Sequence, residues 1–353
     1  MRALAILTQR NEGAFLLEWL AHHRAVGFTD FLVFSNDCQD GSDLMLDRLA
    51  QMGVLTHMRN LPPYDKAGIQ FSALRTAAGH PLLAQADWVL PLDIDEFVNI
   101  HVGDHSLGAL LEALPEASAI TLTWRLFGNA GAVMSEDRPV TERFVRAAPA
   151  IMHWPWRASM FKTLYRNDGT YAKPGVHRPR APDPARLDSA RWFDGAGREL
   201  PARYRRMGLF SPFGRANHTL AQINHYPLGT MQDFILKTDR GRAVHAEQRL
   251  GMDYWVERNF SSDEDRSILA MAPKMRAERD RLMADPAVAA AHHAAVAWRQ
   301  DRFAALMRDD EMRALMGRLL MTPPSRALSR AEAAPLLAHA VAAQKAQAEA
   351  DEA

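Results

Sequence analysis

The sequence predicts an α/β fold in which a mostly parallel sheet is covered by helices on both faces. Short apolar runs alternate with helical segments over residues 1–125, as expected of parallel strands joined by crossover helices. Apolar residues make up 48% of the 353 residues, so the chain can bury a sizeable core. Residues 127–225 are irregular, and the chain turns helical from Thr230. We therefore predict an irregular insertion and a helical C-terminal region beside the sheet.

The first four strands are predicted from short apolar runs that end at polar residues. They occupy residues 3–8, 31–35, 54–58 and 88–92. The first helix, residues 15–23, has one apolar face and ends before Gly27. In the second helix, Ser42 or Asp43 is the N-terminal cap and Gly53 ends it. Its residues predicted to face the core are Leu44, Leu46, Leu49 and Met52. Residues 69–78 and 82–86 are also predicted to be helical.

The later elements follow from the same signals. Residues 107–114 are predicted as a short helix that Pro115 closes, and residues 119–124 as a strand. Helices are then predicted at residues 231–243, 254–259 and 263–320, and Pro323 with Pro324 ends the last of them. Residues 331–353 are rich in alanine and alternating charge, so we expect a solvated terminal helix there.

Charge and composition exclude several partners. Lys+Arg and Asp+Glu both total 42 and the pI is about 7.3, so no overall positive field attracts nucleic acid or an anionic membrane. A single cysteine, Cys38, excludes an internal disulfide framework. No apolar stretch approaches the ~20 residues of a membrane span. We expect a cytoplasmic protein without nucleic-acid partners. Peripheral attachment at the inner face of the membrane, through a partner or the C-terminal helices, stays open.

A locally basic stretch lies within the irregular part of the chain. Its arginines are Arg178, Arg180, Arg186, Arg191, Arg198, Arg203, Arg205 and Arg206. Such a run is usually a solvated surface. The alternative is a surface for a phosphate or an anionic acceptor. Both interpretations are open on the sequence alone.

Two aspartates follow the fourth predicted strand directly. Asp93 and Asp95 are separated by one residue and are followed by Glu96. Ligands of α/β sheets bind beyond the carboxyl ends of the strands, so two carboxylates there can reach one ion. Hard oxygen ligands suit Mg²⁺ or Mn²⁺, and either ion commonly bridges to a phosphate. The alternative is that both aspartates only cap a turn.

Polar residues also follow the first two strands. Thr8, Asn11 and Glu12 end the first strand, and Asn36 ends the second. Such side chains can hydrogen-bond a base and a ribose in the crevice between the strands. The alternative is a helix cap at Asn11 and a turn over residues 36–41.

Taken in order, these pieces resemble a known family. The chain is similar to family-2-type glycosyltransferases of the GT-A fold, and most of all to family-92 galactosyltransferase-like enzymes. The motifs that carry the resemblance are Arg10-Asn11-Glu12, Glu18-Trp19-Leu20, His22-His23, Gly27, Asn36-Asp37, Asp40-Gly41-Ser42 and Leu92-Asp93-Ile94-Asp95-Glu96-Phe97. Thinner matches continue to Arg240-Gly241. The resemblance implies a Rossmann-like GT-A domain over residues 1–245, with a nucleotide-sugar half (1–128) and an acceptor half (129–245). A helical region (246–325) and an alanine-rich tail (326–353) follow.

The resemblance implies transfer of a sugar from a nucleotide diphosphate sugar, with UDP favoured, to a saccharide or lipid-linked acceptor. Asp95 is the expected Mn²⁺ or Mg²⁺ ligand, and Asp93 is expected to contact ribose or metal. Thr8, Asn11, Glu12 and Asn36 are expected to surround the nucleoside, with Lys66 on the pyrophosphate. These roles come from the resemblance and not from the spacing of the residues.

Four further residues are candidates from their own chemistry. His177 and His225 are possible further ligands for Mn²⁺, or structural histidines. Lys237 and Arg240 are three residues apart on a predicted helix and share a face, so they can clamp a diphosphate or stay solvated.

An inverting transfer, which the resemblance favours, needs a general base. Candidates are Glu96, Glu142 and Asp168, and Glu96 can instead support the metal pair. Two rival functions use the same residues. One is a nucleotidyltransferase or phosphohydrolase, and the other is a nucleotide-sugar-binding module without turnover.

Overall fold

The computed structural model describes residues 1–64, 68–241 and 250–351, and the side chains of these up to residue 343. Its first part alternates strands with helices. The elements are β1 (Ala3–Gln9), α1 (Gly13–Val26), β2 (Asp30–Ser35), α2 (Ser42–Gln51), β3 (Thr56–Arg59), α3 (Ile69–Ala78), α4 (Pro81–Gln85), β4 (Trp88–Leu92), β5 (Glu96–Ile100), α5 (Leu107–Ala113) and β6 (Ala119–Leu126).

The remaining chain adds short elements and then helices. They are α6 (Val140–Arg143), β7 (Arg146–Ala147), β8 (Phe161–Arg166), β9 (Tyr171–Lys173), β10 (Arg180–Pro182), α7 (Pro184–Leu187), β11 (Trp192–Asp194), β12 (Ala221–His225), α8 (Met231–Arg240), α9 (Met252–Val256), β13 (Asp263–Glu264), α10 (Ala272–Met283), α11 (Pro286–Leu306), α12 (Asp310–Met321) and α13 (Arg330–Asp351). Single 3₁₀ turns lie at Trp156–Ser159, Ala202–Arg205 and Ser267–Met271.

The central sheet has nine strands within the described residues, in the order β3-β2-β1-β4-β8-β6-β12-β5, with β11 beside β6. Strands β1 to β4 are mutually parallel where they pair, so their carboxyl ends meet at one edge. The predicted α/β class with flanking helices is confirmed. The sheet is nevertheless mixed, because β8 runs antiparallel to both β4 and β6, and β5 runs antiparallel to β12.

The antiparallel strands bring distant residues to the edge where the parallel strands end. Because β8 runs against β4, its first residues lie beside the last residues of β4, and Lys162 is one of them. Strand β12 ends at His225, which pairs with Glu96 at the start of β5. No strand was predicted over residues 96–100, although Phe97, Val98 and Ile100 are buried apolar residues.

Two apolar cores cover the two faces of the sheet. Alternate residues of β1 point to opposite faces: Ala5 and Leu7 pack with α1, α2 and the start of α11, whereas Leu4 and Ile6 pack with α3 and with the aromatic residues of the insertion. The helical C-terminal region is attached to the first core. Arg24 on α1 pairs with Glu278 on α10, and Arg48 on α2 pairs with Asp285, at 2.5 and 2.6 Å.

Several predicted elements need correction. Leu44 is 64% exposed, because the buried face of α2 is Ser42, Met45, Leu46 and Leu49, at i, i+3, i+4 and i+7, and Leu44 lies off that face. The predicted helix over 263–320 is three helices, since Asp285 and Asp309 cap new helices within it. The helix predicted at 254–259 is Met252–Val256.

Two predicted boundaries fall beside or within a stretch that the structure does not describe. The helix predicted at 231–243 is Met231–Arg240, because Gly241 has left the helical conformation, and residues 242–243 lie outside the described residues. The proposed division at residues 245/246 also lies outside the described residues. The domain boundaries remain predictions. Among the residues described, none of the helices combines the length and apolar character that crossing a membrane requires.

Candidate functional site

The segment that joins β4 to β5 is a tight turn held by its own ends. The backbone N–H of Glu96 donates to the carbonyl of Asp93 at 3.1 Å. In return, the Glu96 carboxylate accepts from the Asp93 N–H at 2.8 Å. The indole N–H of Trp19 also donates to the Asp93 carbonyl, at 3.1 Å. The turn that the sequence left open as an alternative is therefore present, but the two aspartates project from it and do not cap it.

Asp93 and Glu96 share one buried lysine. The Lys162 ammonium lies 2.9 Å from Asp93 Oδ2 and 3.2 Å from Glu96 Oε2, and its side chain is 0% exposed. Gln70 donates to the other Asp93 oxygen at 2.7 Å, and Trp124 donates to Glu96 Oε1 at 2.7 Å. Burial would raise the pKa of Asp93, but Lys162 outweighs it and the pKa is lowered. Burial raises the pKa of Glu96 to about 8, against the opposing effect of Lys162.

Asp95 faces a second lysine and a histidine. Lys237 on α8 donates to Asp95 Oδ2 at 2.7 Å and to the carbonyl of Pro227 at 2.8 Å. His225 Nε2 lies 3.6 Å from Asp95 Oδ1, which is too long for a direct hydrogen bond. Burial would raise the pKa of Asp95, but Lys237 and then His225 outweigh it and hold the pKa well below its ordinary value. Asp93 and Asp95 therefore have different cationic partners, Lys162 for the first and Lys237 for the second.

A third ion pair closes the same edge. Arg240, on the same face of α8 as Lys237, pairs with Glu12 from the loop after β1. It also donates to the carbonyl of Arg10 at 3.3 Å. Burial raises the pKa of Glu12, and Arg240 acts against burial. Helix α8 thus contributes two cations that each face a carboxylate at the end of a central strand.

The loops after β1 and β2 hold each other in place. Asn11 and Asp37 adopt left-handed backbone conformations with φ of 53° and 44°, which are costly for residues other than glycine. The Asn11 carboxamide accepts from Gln39 N–H at 2.7 Å and does not cap α1. Asn36 is 2% exposed, donates to the carbonyl of Gln9 at 2.9 Å and accepts from Asn60 at 2.6 Å. Asn36 therefore fixes the loops at the crevice with its own amide.

These groups line a cleft of about 710 Å³ beyond the carboxyl ends of β1, β2 and β4. The cleft collects most of the residues predicted from the sequence. Those lining it are Thr8, Glu12, Asn36, Asp93, Asp95, His177, His225, Lys237 and Arg240. Burial lowers the pKa of His177 to about 4, and its Nδ1 contacts the carbonyl of Phe161 at 3.0 Å.

Four predicted residues do not line this cleft, and a fifth cannot be placed. Asn11 lines a neighbouring cavity of about 60 Å³. Glu96 is fully buried beneath the turn, with three donors on its oxygens. Glu142 pairs with Arg276 at 2.6 Å, and Asp168 accepts from Thr170 N–H at 2.9 Å, both away from the cleft. Lys66 lies outside the described residues. The structure therefore does not bring the three base candidates to the site.

Sequence reasoning assigned no role to several cleft residues. Lys162 carries a signal that could have identified it, because a charged residue inside the apolar run of β8 needs a buried partner. The sequence around Gln70, Tyr254 and Arg258 contains no pattern that would have identified these residues as part of a site. The guanidinium of Arg258 stacks 3.7 Å from the ring centre of Tyr254, and both residues line the cleft. Long-range packing places them there, so the local pattern could not reveal them.

The side chains around Asp95 fit a divalent cation whose remaining ligands come from the substrate. Within the described ranges, no group of three or more His, Cys, Asp and Glu side chains is arranged to hold a metal ion. Mg²⁺ and Mn²⁺ are commonly held by one or two protein ligands together with phosphate oxygens and waters. Asp95 Oδ1 and His225 Nε2 face each other at 3.6 Å, and His225 Nδ1 is buried without a hydrogen-bond partner among the residues that the structure describes. Both Asp93 oxygens already accept from Gln70 and Lys162, so Asp93 fits this role less well.

Two curated plant proteins described as glycosyltransferase family 92 proteins are similar to this chain. One, from Ricinus communis, is 28% identical over 96 residues, which cover 27% of this chain and 16% of that protein. The other, from Oryza sativa subsp. japonica, is 25% identical over 137 residues, which cover 37% and 22%. The resemblance to family 92 is confirmed. The chain matches less than a quarter of the length of either relative.

The other comparisons are weaker. No protein-family model matches the chain. Among solved structures, Staphylococcus aureus TarS is similar at 14% identity over 47% of this chain and 28% of that chain, with a TM-score of 0.29. A TM-score this low supports no inference about function. The function is therefore inferred from the geometry of the cleft and from the two plant relatives.

Proposed function

We propose that this protein transfers a sugar from a nucleotide diphosphate sugar, preferably a UDP-sugar, to an acceptor hydroxyl. The observation that carries the proposal is the convergence of Glu12, Asp93, Asp95, Lys237 and Arg240 on one cleft at the carboxyl ends of parallel strands. This edge is where α/β sheets bind nucleotides. The similarity to family-92 proteins supports sugar transfer over other reactions of a bound nucleotide.

Lys237 and Arg240 form a cationic wall of the cleft, and the diphosphate is assigned to this wall. Lys237 and Arg240 each face a carboxylate across the crevice. A diphosphate offers the same cations several charged oxygens at short range, and such charge-assisted hydrogen bonds are the strong ones. Arg258 also lines the cleft and adds a third cation to it. The nucleoside then lies towards Thr8 and Glu12, in the crevice after β1.

Asp95 and His225 are assigned as the protein ligands of Mn²⁺ or Mg²⁺. When bound, the ion would neutralise negative charge on the departing nucleotide. Asp93 has a different task in this proposal. Through Lys162 and Gln70 it fixes the turn, and so it orients Asp95 towards the cleft.

The general base of an inverting transfer is assigned to Asp253. Among the described residues, five carboxylates line the cleft, and four of them have cationic partners: Glu12, Asp93, Asp95 and Glu257. Asp253 is exposed near the start of α9, and among the described residues it has no ion-pair partner. A carboxylate that is free to accept a proton can activate an acceptor hydroxyl.

Incubation with labelled UDP-sugars and Mn²⁺ tests the proposal. We expect labelled sugar to appear in a saccharide or lipid-linked acceptor, with release of UDP. Release of pyrophosphate or inorganic phosphate would instead support a nucleotidyltransferase or a phosphohydrolase. Tight nucleotide-sugar binding without any product, across a panel of acceptors, would support a binding module. Glu142→Gln is the matched control, because Glu142 lies outside the cleft and this variant should keep full activity.

A further inference from the structure

Two neighbouring loops present large apolar side chains to solvent. In residues 149–160, Ile151 is 42% exposed and Trp156 is 38% exposed. In residues 206–215, Met207 is 64% exposed and Phe213 is 45% exposed. We call these four residues the apolar rim. Clusters of exposed apolar side chains mark places where another surface is met.

The two loops form one surface. Ser211 N–H donates to the carbonyl of Ser159 at 2.8 Å, and Met160 forms a β-bridge with Phe210. The rings of Trp156 and Phe210 are 4.6 Å apart, and those of His153 and Phe213 are 5.6 Å apart. The apolar rim is therefore held in place by hydrogen bonds and aromatic contacts between the loops.

The apolar rim lies at the mouth of the proposed active cleft. Arg157, which follows Trp156 directly, and Met160, four residues after Trp156, line that cleft. Phe213 lines a smaller depression of about 20 Å³, and Trp124 lines both this depression and the cleft. A surface that covers the apolar rim thus comes close to the position of the acceptor.

The two loops that carry the apolar rim contain arginines and no acidic residue. Residues 143–167 and 200–232 contain no aspartate or glutamate. Arg157 and Arg206 are exposed on the two loops, and Arg203 is exposed just before the second loop. Among the described residues, the acidic contact of Arg157 is a long one, 3.7 Å to Glu257. Tryptophan and phenylalanine beside arginines is the composition of segments that lie in the interface of an anionic bilayer. A protein partner would have to be acidic and apolar at once.

We propose that the apolar rim and its arginines dock on an anionic lipid bilayer. Docking there places the mouth of the cleft at the membrane surface. If the protein transfers a sugar as proposed, an acceptor at this position is a lipid-linked saccharide or a lipid head group. This statement about the acceptor rests on the proposed function. The docking itself does not depend on catalysis, so it can be measured on the full chain without any donor.

Cosedimentation with vesicles tests the docking. We expect the full chain to bind vesicles of phosphatidylcholine with phosphatidylglycerol, and to bind pure phosphatidylcholine at least tenfold less. The double variant Trp156→Ala/Phe213→Ser should need at least tenfold more anionic lipid for half-binding. Arg203→Gln/Arg206→Gln should lose most of the preference for anionic vesicles and most of the sensitivity to salt.

The matched control is Leu320→Ser/Met321→Ser. Both residues are exposed apolar residues on α12, at 56% and 77%, and this variant should bind as the parent does. Failure of the parent to bind anionic vesicles, or equal binding by the apolar-rim variant, overturns the proposal. So does concentration-dependent dimerisation in solution that Trp156→Ala/Phe213→Ser abolishes, since the surface would then meet a second copy of the chain. If vesicles bind but no nucleotide sugar does, the proposed function fails and the docking stands.

Discussion

Replacement of Lys162 by methionine would remove the cation that lies between Asp93 and Glu96. Methionine has a similar length, so the change removes charge and leaves most of the packing. Asp93 and Glu96 would then lose the ammonium group that neutralises them, and the Glu96 side chain is fully buried. Removal of one partner from a buried ion pair costs about 3–5 kcal/mol where the remaining charge stays buried. Asp93 is 35% exposed and Glu96, with its raised pKa, can take up a proton, so we expect a loss at the lower end of that range.

Urea denaturation at pH 7.5 measures this loss in the free energy of unfolding. The matched control is Lys237→Met. Lys237 and Asp95 are 20% and 21% exposed, so solvent screens the charge that remains, and we expect a loss of about 1 kcal/mol. The triple variant Lys162→Met/Asp93→Asn/Glu96→Gln carries no charge in the cluster. It should recover a large part of the stability, because an uncharged replacement of a buried ion pair is often neutral.

The same cluster predicts a dependence on pH. Burial raises the pKa of Glu96 above its unfolded value, to about 8 in the parent, while Lys162 acts to lower it. An acid with a raised pKa stabilises the fold at low pH, and this contribution is lost as the pH rises. The deficit of Lys162→Met should therefore be larger at pH 8 than at pH 5.5. A loss below 1 kcal/mol, or a deficit that grows on acidification, would refute the assignment of Lys162 as the compensating cation.

Three further outcomes follow from the site and the core. Arg240→Met should weaken UDP binding at least tenfold by calorimetry, whereas Arg276→Met, outside the cleft, should not. Asp253→Asn should lower kcat at least a hundredfold and leave UDP-sugar affinity within twofold; an unchanged kcat removes Asp253 as the base. Burial lowers the pKa of His22 to about 4, so neutral His22 stabilises above pH 6.5 and this stability is lost between pH 6.5 and 4. His22→Gln should therefore lose less stability than the parent over that range in urea titrations.

The sequence was most informative where the chemistry is local. The parallel strands follow from apolar runs that end in polar residues, and the position of Asp93 and Asp95 at the sheet edge follows from the end of β4. The pairing of Lys237 and Arg240 on one helical face also follows from spacing alone. Each of these depends on residues close together in the chain.

The parts that could not be predicted depend on long-range pairing. Lys162 reaches Asp93 only because β8 inserts antiparallel beside β4, 69 residues later in the chain. Strand β5 was missed because its start, Glu96, is charged, and its burial depends on Lys162 and Trp124. Glu142 and Asp168 were proposed from residue type, and tertiary structure places them elsewhere.

Calorimetric titration of a UDP-sugar in the presence and absence of Mn²⁺ tests the central claim most directly, for the parent and for Asp95→Ala. We expect the parent to bind the UDP-sugar at least tenfold more tightly with Mn²⁺, after correction for the Mn²⁺–UDP complex in solution. Asp95→Ala should bind with the same weak affinity in both conditions while its unfolding midpoint shows that it is folded. A folded Asp95→Ala variant that keeps the full Mn²⁺ effect, or a parent that binds no UDP-, GDP- or dTDP-sugar, would contradict the account.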